Sequence, residues 1–158
     1  MNDIPLAKAI RKESVLKAIE NDRRRLEGLG FKVFPLDYPS HIIFSEELRR
    51  QLTPLDFRPD FLVLKPNREA FFWEVASRTG KKLNCLLIPY HKLKKYRLWK
   101  EKYELPFYLS FWFNGNWLGY MELDQIKVIE KIPSKKRGYV ENWIRISLNS
   151  FTKSLSAN

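Results

Sequence analysis

Two apolar runs separated by a short polar segment are the clearest feature of the hydrophobic pattern. The first run spans 58–64 and the second spans 71–77, and both consist mainly of aromatic, β-branched and leucine residues. The segment between them, Lys65–Arg68, contains a proline and an asparagine, which are typical of turns. The pattern therefore predicts a β-hairpin.

A turn centred on Asn67 would place Asp60 directly opposite Glu74 on this hairpin. Like charges in opposite positions repel each other, and a cation between them relieves the repulsion. Carboxylate oxygens suit Mg²⁺ or Mn²⁺. Glu74 also lies in a run so apolar that its strand should be buried, and a buried acid needs a partner. The sequence thus predicts a metal site at Asp60 and Glu74, with Ala76 on the same face.

This prediction has a simpler alternative, in which both acids lie at strand ends and pair with some of the 29 Lys and Arg residues. The outcome depends on the register of the hairpin, because a shift of one residue would separate the two carboxylates.

Helical periodicity predicts two longer helices, one from about Pro5 to Leu29 and one from Tyr90 to Tyr103. A capping pattern predicts a short helix from Ser45 to about Leu52. Further strands are predicted at 31–34, 107–113 and 117–123, and Asn114–Asn116 is a strong hairpin signal between the last two. Three segments are ambiguous: 83–88 is strand or loop, 126–129 is a possible edge strand, and 139–155 is a final strand or a dimer-contact segment.

Length and composition predict one domain over 1–158, large enough for a hydrophobic core. The sequence contains no apolar run of transmembrane length and no secretory signal, so we expect an intracellular protein that is not in a membrane. Cys85 is the single cysteine, which excludes an internal disulfide and a cysteine-based zinc site.

The net charge of +11 and the pI of 9.8 predict an electropositive surface that suits nucleic acid. Solvation alone also explains such charges, and a membrane-surface role is weaker because neither helix has a clean apolar face with a basic rim. The candidate phosphate contacts are basic residues of the two helices and of the loop after the hairpin, and the family resemblance described next implies that they contact DNA: Arg23, Arg24, Arg78, Lys81, Lys82, Lys92 and Lys95.

The order of these features resembles that of the PD-(D/E)xK nuclease superfamily. A helix carrying an acid is followed by Pro59-Asp60 and, fourteen residues after the aspartate, by Glu74-Val75-Ala76. Within the superfamily the sequence is most similar to archaeal-type Holliday junction resolvases. The resemblance covers about 7–130, and the remaining part, 133–158, contains a basic loop and the possible dimer-contact segment.

This resemblance implies an α/β, restriction-endonuclease-like fold with a central mixed sheet of about five strands flanked by helices. It also implies that Asp60 and Glu74 hold Mg²⁺, with Mn²⁺ as a substitute, and that Glu20 on the first helix completes the site. Glu13 and Glu27 are alternatives to Glu20. The implied partner is DNA, most simply a four-way junction, and the two-fold symmetry of a junction suits a homodimer. The aromatic segments 111–113 and 139–143 are candidates for the dimer interface, although core packing explains them equally well.

One position departs from the family pattern, because Ala76 stands where the family has lysine. Three explanations are open. We favour an engineered Lys-to-Ala replacement that traps an inactive protein. The second explanation is that Lys81, Lys82 or Lys95 takes the role of the missing lysine. The third is that the protein is a natural DNA binder that does not cut. The resemblance therefore predicts a metal-dependent endonuclease of branched DNA, with catalytic positions Glu20, Asp60, Glu74 and Ala76. The alternatives are a non-catalytic DNA-binding module and a restriction-like or transposon-type nuclease of duplex DNA.

Overall fold

A five-stranded mixed sheet forms the centre of the protein in the computed structural model, which describes residues 6–36, 58–81, 86–126, 128–136, 139–147 and 151–152. Its strands follow the order β1-β2-β3-β5-β6, and β3 and β5 are parallel while the other neighbours are antiparallel. The bounds of these strands are β1 Lys32–Pro35, β2 Phe61–Leu64, β3 Ala70–Arg78, β5 Phe107–Phe113 and β6 Asn116–Glu122. This arrangement confirms the predicted α/β class and the mixed five-stranded sheet.

Helix α1, Leu6–Gly28, packs on one face of this sheet. Ala18 and Leu26 of the helix share a buried cluster with Phe71, Trp73 and Val75 of β3. Alternate residues of a strand point to opposite faces, so these three side chains lie on the α1 face.

Helix α2, Tyr90–Tyr103, has the bounds that the periodicity predicted, and it covers the opposite face. Leu93 and Tyr96 are its buried residues, and they pack with Phe72 and with Phe107 of β5. The even-numbered residues of β3, from Phe72 to Arg78, therefore lie on the α2 face.

A second sheet of three strands, in the order β4-β8-β7, was not predicted. It consists of β4 Leu86–Pro89, β7 Val128–Lys136 and β8 Tyr139–Ile146, all antiparallel. Buried residues of β4 and β8 belong to the same core cluster as α2. The ambiguous segments at 83–88, 126–129 and 139–155 thus contribute strands to this sheet.

The structure corrects three expectations from sequence, and a fourth concerns residues that it does not describe. Leu16, one of the apolar residues whose helical spacing predicts the first helix and places them on its buried side, is 55% exposed. Phe111 and Trp112, considered for a dimer interface, are buried in the two cores. Part of the basic loop expected after Pro133 is strand, because β7 continues to Lys136. The helix predicted at Ser45–Leu52 lies outside the described residues.

None of the helices within the described residues is long and apolar enough to cross a membrane.

Candidate functional site

The hairpin of β2 and β3 has the register that the sequence predicted. Phe61 is the partner of Trp73, and the same register continued by one residue before β2 places Asp60 opposite Glu74. The turn is fixed locally, because Arg68 has a positive φ of 70° and the Asn67 side chain accepts a hydrogen bond of 3.0 Å from the Glu69 N–H. The hairpin register therefore agrees with the predicted one, and a metal site at Asp60 and Glu74 stays a prediction.

Asp60 is held from both sides by backbone groups. Its Oδ2 accepts a hydrogen bond of 2.7 Å from the Val75 N–H, and its carbonyl accepts one of 3.0 Å from the Leu36 N–H. Its exposure is 8%. These bonds join the end of β1, the start of β2 and the middle of β3 at the position of the aspartate, so the carboxylate has a fixed orientation.

Glu74 is buried to the same degree, with 8% exposure, beneath helix α2. The Tyr96 hydroxyl donates a hydrogen bond to its carboxylate. Burial raises the pKa of Tyr96 well above its ordinary value, the negative charges of Glu74 and Asp60 raise it further, and the positive charge of Arg78 acts in the opposite direction. Tyr96 is therefore a neutral hydrogen-bond donor whose surroundings contain both carboxylates and the guanidinium.

Two more residues of β3 share this face. Ala76 is partly buried against the core beside α2, and its methyl side chain cannot transfer a proton. Arg78 follows two residues later and is partly buried, and its Nη1 donates a hydrogen bond of 3.0 Å to the Ser77 carbonyl. The site thus consists of two buried carboxylates, a buried tyrosine and a nearby arginine.

Glu20 does not belong to this group, and the expectation that it faces inward is wrong. It is on α1, which covers the other face of the sheet, and its side chain is 41% exposed. It accepts hydrogen bonds from Arg23, at 2.6 Å, and from Arg24, at 3.2 Å. The Arg23 guanidinium lowers the pKa of Glu20 through this hydrogen bond. The alternatives Glu13 and Glu27 are also exposed, and within the described residues no three His, Cys, Asp or Glu side chains form a metal site.

The inward-facing acid of α1 is Asp22, which the sequence analysis missed. It is fully buried, and its two carboxylate oxygens accept hydrogen bonds of 3.1 Å from the indole N–H groups of Trp73 and Trp112. Burial raises the pKa of Asp22, although a hydrogen bond from Ser110 and those from the two indoles act in the opposite direction. The spacing of Ala18, Asp22 and Leu26 at every fourth residue is a signal that would have identified it.

The predicted DNA-contacting residues are distributed over both faces. Arg23 and Arg24 lie on α1 and are paired with Glu20. Lys92 and Lys95 are exposed on α2, Arg78 lies beside the carboxylates, and Lys81 is exposed just after β3. Lys82 lies outside the described residues. On the α2 face, therefore, Lys92, Lys95 and Arg78 are on the same side of the sheet as Asp60 and Glu74.

No family model and no curated protein matches the sequence. Among solved structures, the chain is similar to the Holliday junction resolvase of Archaeoglobus fulgidus, an archaeal hyperthermophile, with 11% sequence identity and a TM-score of 0.49. The alignment covers 80% of this chain and 85% of the resolvase.

Proposed function

We propose that the protein has the active-site architecture of a metal-dependent, structure-specific DNA endonuclease that acts on branched DNA, most simply on a four-way junction. The single observation that carries the proposal is that two buried carboxylates, Asp60 just before β2 and Glu74 on β3, both lie close enough to Tyr96 for their charges to raise its pKa. Burying two like charges side by side is costly unless a cation or a proton neutralises them. A divalent cation meets that requirement.

The carboxylates of Asp60 and Glu74 suit a Mg²⁺ or Mn²⁺ ion that is bound by few protein ligands. Magnesium commonly binds one or two carboxylates and completes its coordination with water and substrate phosphate. One oxygen of Asp60 receives the Val75 N–H, and the other is available in the proposal as a ligand together with Glu74. Glu20 has no part in it, because it lies on the other face of the sheet. When bound, the metal would polarise the scissile phosphate and lower the pKa of a water molecule.

The residues of the chain supply orientation and charge in this proposal. The backbone N–H of Val75 fixes Asp60, and the Tyr96 hydroxyl fixes Glu74. Arg78 would neutralise part of the phosphate charge, since a guanidinium forms strong hydrogen bonds with phosphate oxygens. Ala76 supplies no base or acid, so we expect weak cleavage or none from this chain.

A net charge of +11 supports DNA as the partner, because contacts with phosphates depend on lysine and arginine and carry no sequence information. Preference for a junction would follow from a homodimer, which presents two equivalent sites to two equivalent strands.

The proposal is tested by Mg²⁺-dependent cleavage of a labelled four-way junction and of a linear duplex with the same sequence. This chain is compared with the Ala76→Lys variant and with Ala76→Lys combined with Asp60→Asn. We expect symmetric nicking of the junction by Ala76→Lys alone. Equal cutting of the duplex would instead favour the restriction-like alternative.

The second candidate function is a DNA-binding module that does not cut, and Ala76 is the observation that favours it. In that case Asp60 and Glu74 are structural acids. Binding of the junction by every variant without cleavage by any would establish this alternative. A Mn²⁺ titration followed by electron paramagnetic resonance distinguishes the nuclease from the binding module without a cleavage assay. Only the nuclease proposal expects a bound Mn²⁺ ion, and that ion should be lost in Asp60→Asn.

A further inference from the structure

An aromatic cavity of about 400 Å³ lies on the α2 face of the sheet. Three aromatic rings, three leucines and one arginine line it, namely Phe72, Trp99, Tyr103, Leu36, Leu62, Leu105 and Arg58. Its volume falls within the range of small-molecule sites, roughly 300–1,000 Å³. We call it the aromatic pocket.

The three rings of the aromatic pocket form one continuous aromatic surface. The Phe72 ring contacts Trp99 edge-on, with centroids 5.4 Å apart, and Tyr103 edge-on, with centroids 5.7 Å apart. Trp99 and Tyr103 are more nearly parallel, with an interplanar angle of 31° and centroids 5.2 Å apart. Tyr103 is 45% exposed, so this surface is open to solvent at its rim. An exposed aromatic surface of this kind is a platform on which a planar ring stacks.

The aromatic pocket adjoins the carboxylate pair along both strands of the hairpin. Phe72 lies two residues before Glu74 on the same face of β3, and Leu62 lies two residues after Asp60. Two residues of strand span about 7 Å. Arg58 is two residues before Asp60 and is the charged residue of the lining. A nucleotide whose phosphate lies at the carboxylates therefore has its base within reach of the pocket.

We propose that the aromatic pocket binds one unstacked nucleobase of the DNA strand whose phosphate lies at Asp60 and Glu74. This inference rests on the proposed function and narrows its substrate class from branched DNA in general to branched DNA with an unpaired base next to the scissile phosphate, which a fully paired four-way junction lacks. The base stacks on Trp99 and Tyr103, and Arg58 contacts the adjoining phosphate or the edge of the base. Every base has a π-face, so the pocket selects the unpaired state and is indifferent to sequence.

The test uses branched DNA with a single unpaired 2-aminopurine, a fluorescent base analogue, at the branch point. A fully paired DNA of the same sequence and 2-aminopurine nucleoside monophosphate serve as the other two arms. Ca²⁺ replaces Mg²⁺ in this measurement, so that a cation can neutralise the carboxylate pair, and this chain is used with Ala76 in place so that the signal does not depend on cleavage. We expect binding of the chain to quench the unpaired 2-aminopurine and to favour that DNA over the paired one by roughly tenfold.

Two variants connect the signal to the pocket. Tyr103→Leu removes an exposed ring and should abolish most of the quenching and of the preference, while its affinity for paired DNA is unchanged. Trp99→Leu should act in the same direction. Leu98→Ala is the matched control, because Leu98 is on the same helix and is 63% exposed but does not line the pocket.

The outcomes separate this inference from the proposed function. Binding of all DNA arms without quenching, or quenching that persists in Tyr103→Leu, would overturn the pocket alone. Absence of DNA binding, measured by the anisotropy of a separate fluorescein label, would overturn both. If the monophosphate binds as tightly as the DNA with the unpaired base, the pocket binds free nucleotides. That result would overturn the proposal that the bound base belongs to a DNA strand.

Discussion

Three buried acids of this protein are stabilised in three ways at the scale of single residues. Asp60 accepts a backbone N–H, Glu74 accepts a tyrosine hydroxyl, and Asp22 accepts two indole N–H groups. The first two lie at facing positions of neighbouring strands, whereas Asp22 is enclosed between α1 and the other face of the sheet. Asp22 therefore has a structural role, and its energetics are separable from those of the candidate site.

Replacing Asp22 with Asn tests that role through the pH dependence of stability. The asparagine retains one acceptor oxygen, so one of the two indole N–H donors faces the NH₂ group of the amide, which is also a donor. At acid pH we expect the free energy of unfolding of the variant to be lower than that of wild type by about 1–3 kcal/mol. Because the pKa of Asp22 is raised in the folded state, the folded protein binds this proton more tightly than the unfolded chain. The stability that this group contributes is thus greatest below its unfolded pKa and decreases as pH rises through its folded pKa.

The wild-type free energy of unfolding should therefore fall relative to that of Asp22→Asn as the pH rises above about 4, the ordinary pKa of an aspartate. Urea unfolding followed by tryptophan fluorescence measures both proteins across this range. Glu13→Gln is the control, since Glu13 is on the same helix with a side chain 71% exposed. Parallel pH profiles for wild type and Asp22→Asn would show that the pKa of Asp22 is the same in the folded and unfolded states, which would contradict the prediction.

Sequence reasoning located Asp60 and Glu74 because the turn chemistry around Asn67 fixes the register of a local hairpin. It selected Glu20 because the family resemblance indicates that the first helix carries an acid. The resemblance does not indicate which residues of that helix face the sheet. The burial of Ala18, Asp22 and Leu26 determines that rotation, and it turns Glu20 to solvent. The hydroxyl of Tyr96 could not be assigned from sequence, because its partner is on an element 22 positions earlier in the chain.

At the scale of elements too, local features are predictable from sequence and long-range pairing is not. Both helices and the strands on either side of Asn114–Asn116 follow from local periodicity and turn residues. The second sheet does not, because β4 and β8 are separated by about fifty positions and their pairing is set by the shared core. Long-range pairing also closes the free edge of the main sheet, where Tyr120 and Thr152 exchange backbone hydrogen bonds of 2.9 and 2.8 Å.

Gly119 permits this edge contact, and Gly119→Ala tests it. Its φ is +128°, and a Cβ at this position would lie 2.7 Å from the Thr152 carbonyl oxygen. We expect a loss of about 1–3 kcal/mol, since the substitution strains the backbone and displaces the C-terminal segment. Chemical denaturation measures the loss, and Gly28→Ala, where a Cβ meets nothing within 4 Å, is the control that should leave stability nearly unchanged. Equal stability of Gly119→Ala and wild type would mean that the 151–152 segment contributes little to the fold.

At the scale of the whole molecule, positive charge is present on both faces of the central sheet, but the two faces differ in what surrounds it. On α1, Arg23 and Arg24 are paired with Glu20. On α2, Lys92 and Lys95 are exposed on the side of the sheet that contains Asp60, Glu74 and the aromatic pocket. A strand whose phosphate lies at the carboxylates would therefore approach the α2 face, and the net charge of +11 cannot by itself distinguish the two faces.

Two double variants that each remove two positive charges decide which face binds DNA. Loss of a lysine that contacts a phosphate lowers the slope of log affinity against log salt by about one, because fewer counterions are released on binding. We expect Lys92→Ala with Lys95→Ala to reduce the slope by about two, and Arg23→Ala with Arg24→Ala to leave it nearly unchanged. Fluorescence anisotropy of a labelled four-way junction over a series of salt concentrations gives both slopes. Because the net charge of the two variants is the same, equal slopes would show that binding follows overall charge, and a loss confined to the α1 variant would place the DNA on the face opposite the carboxylates.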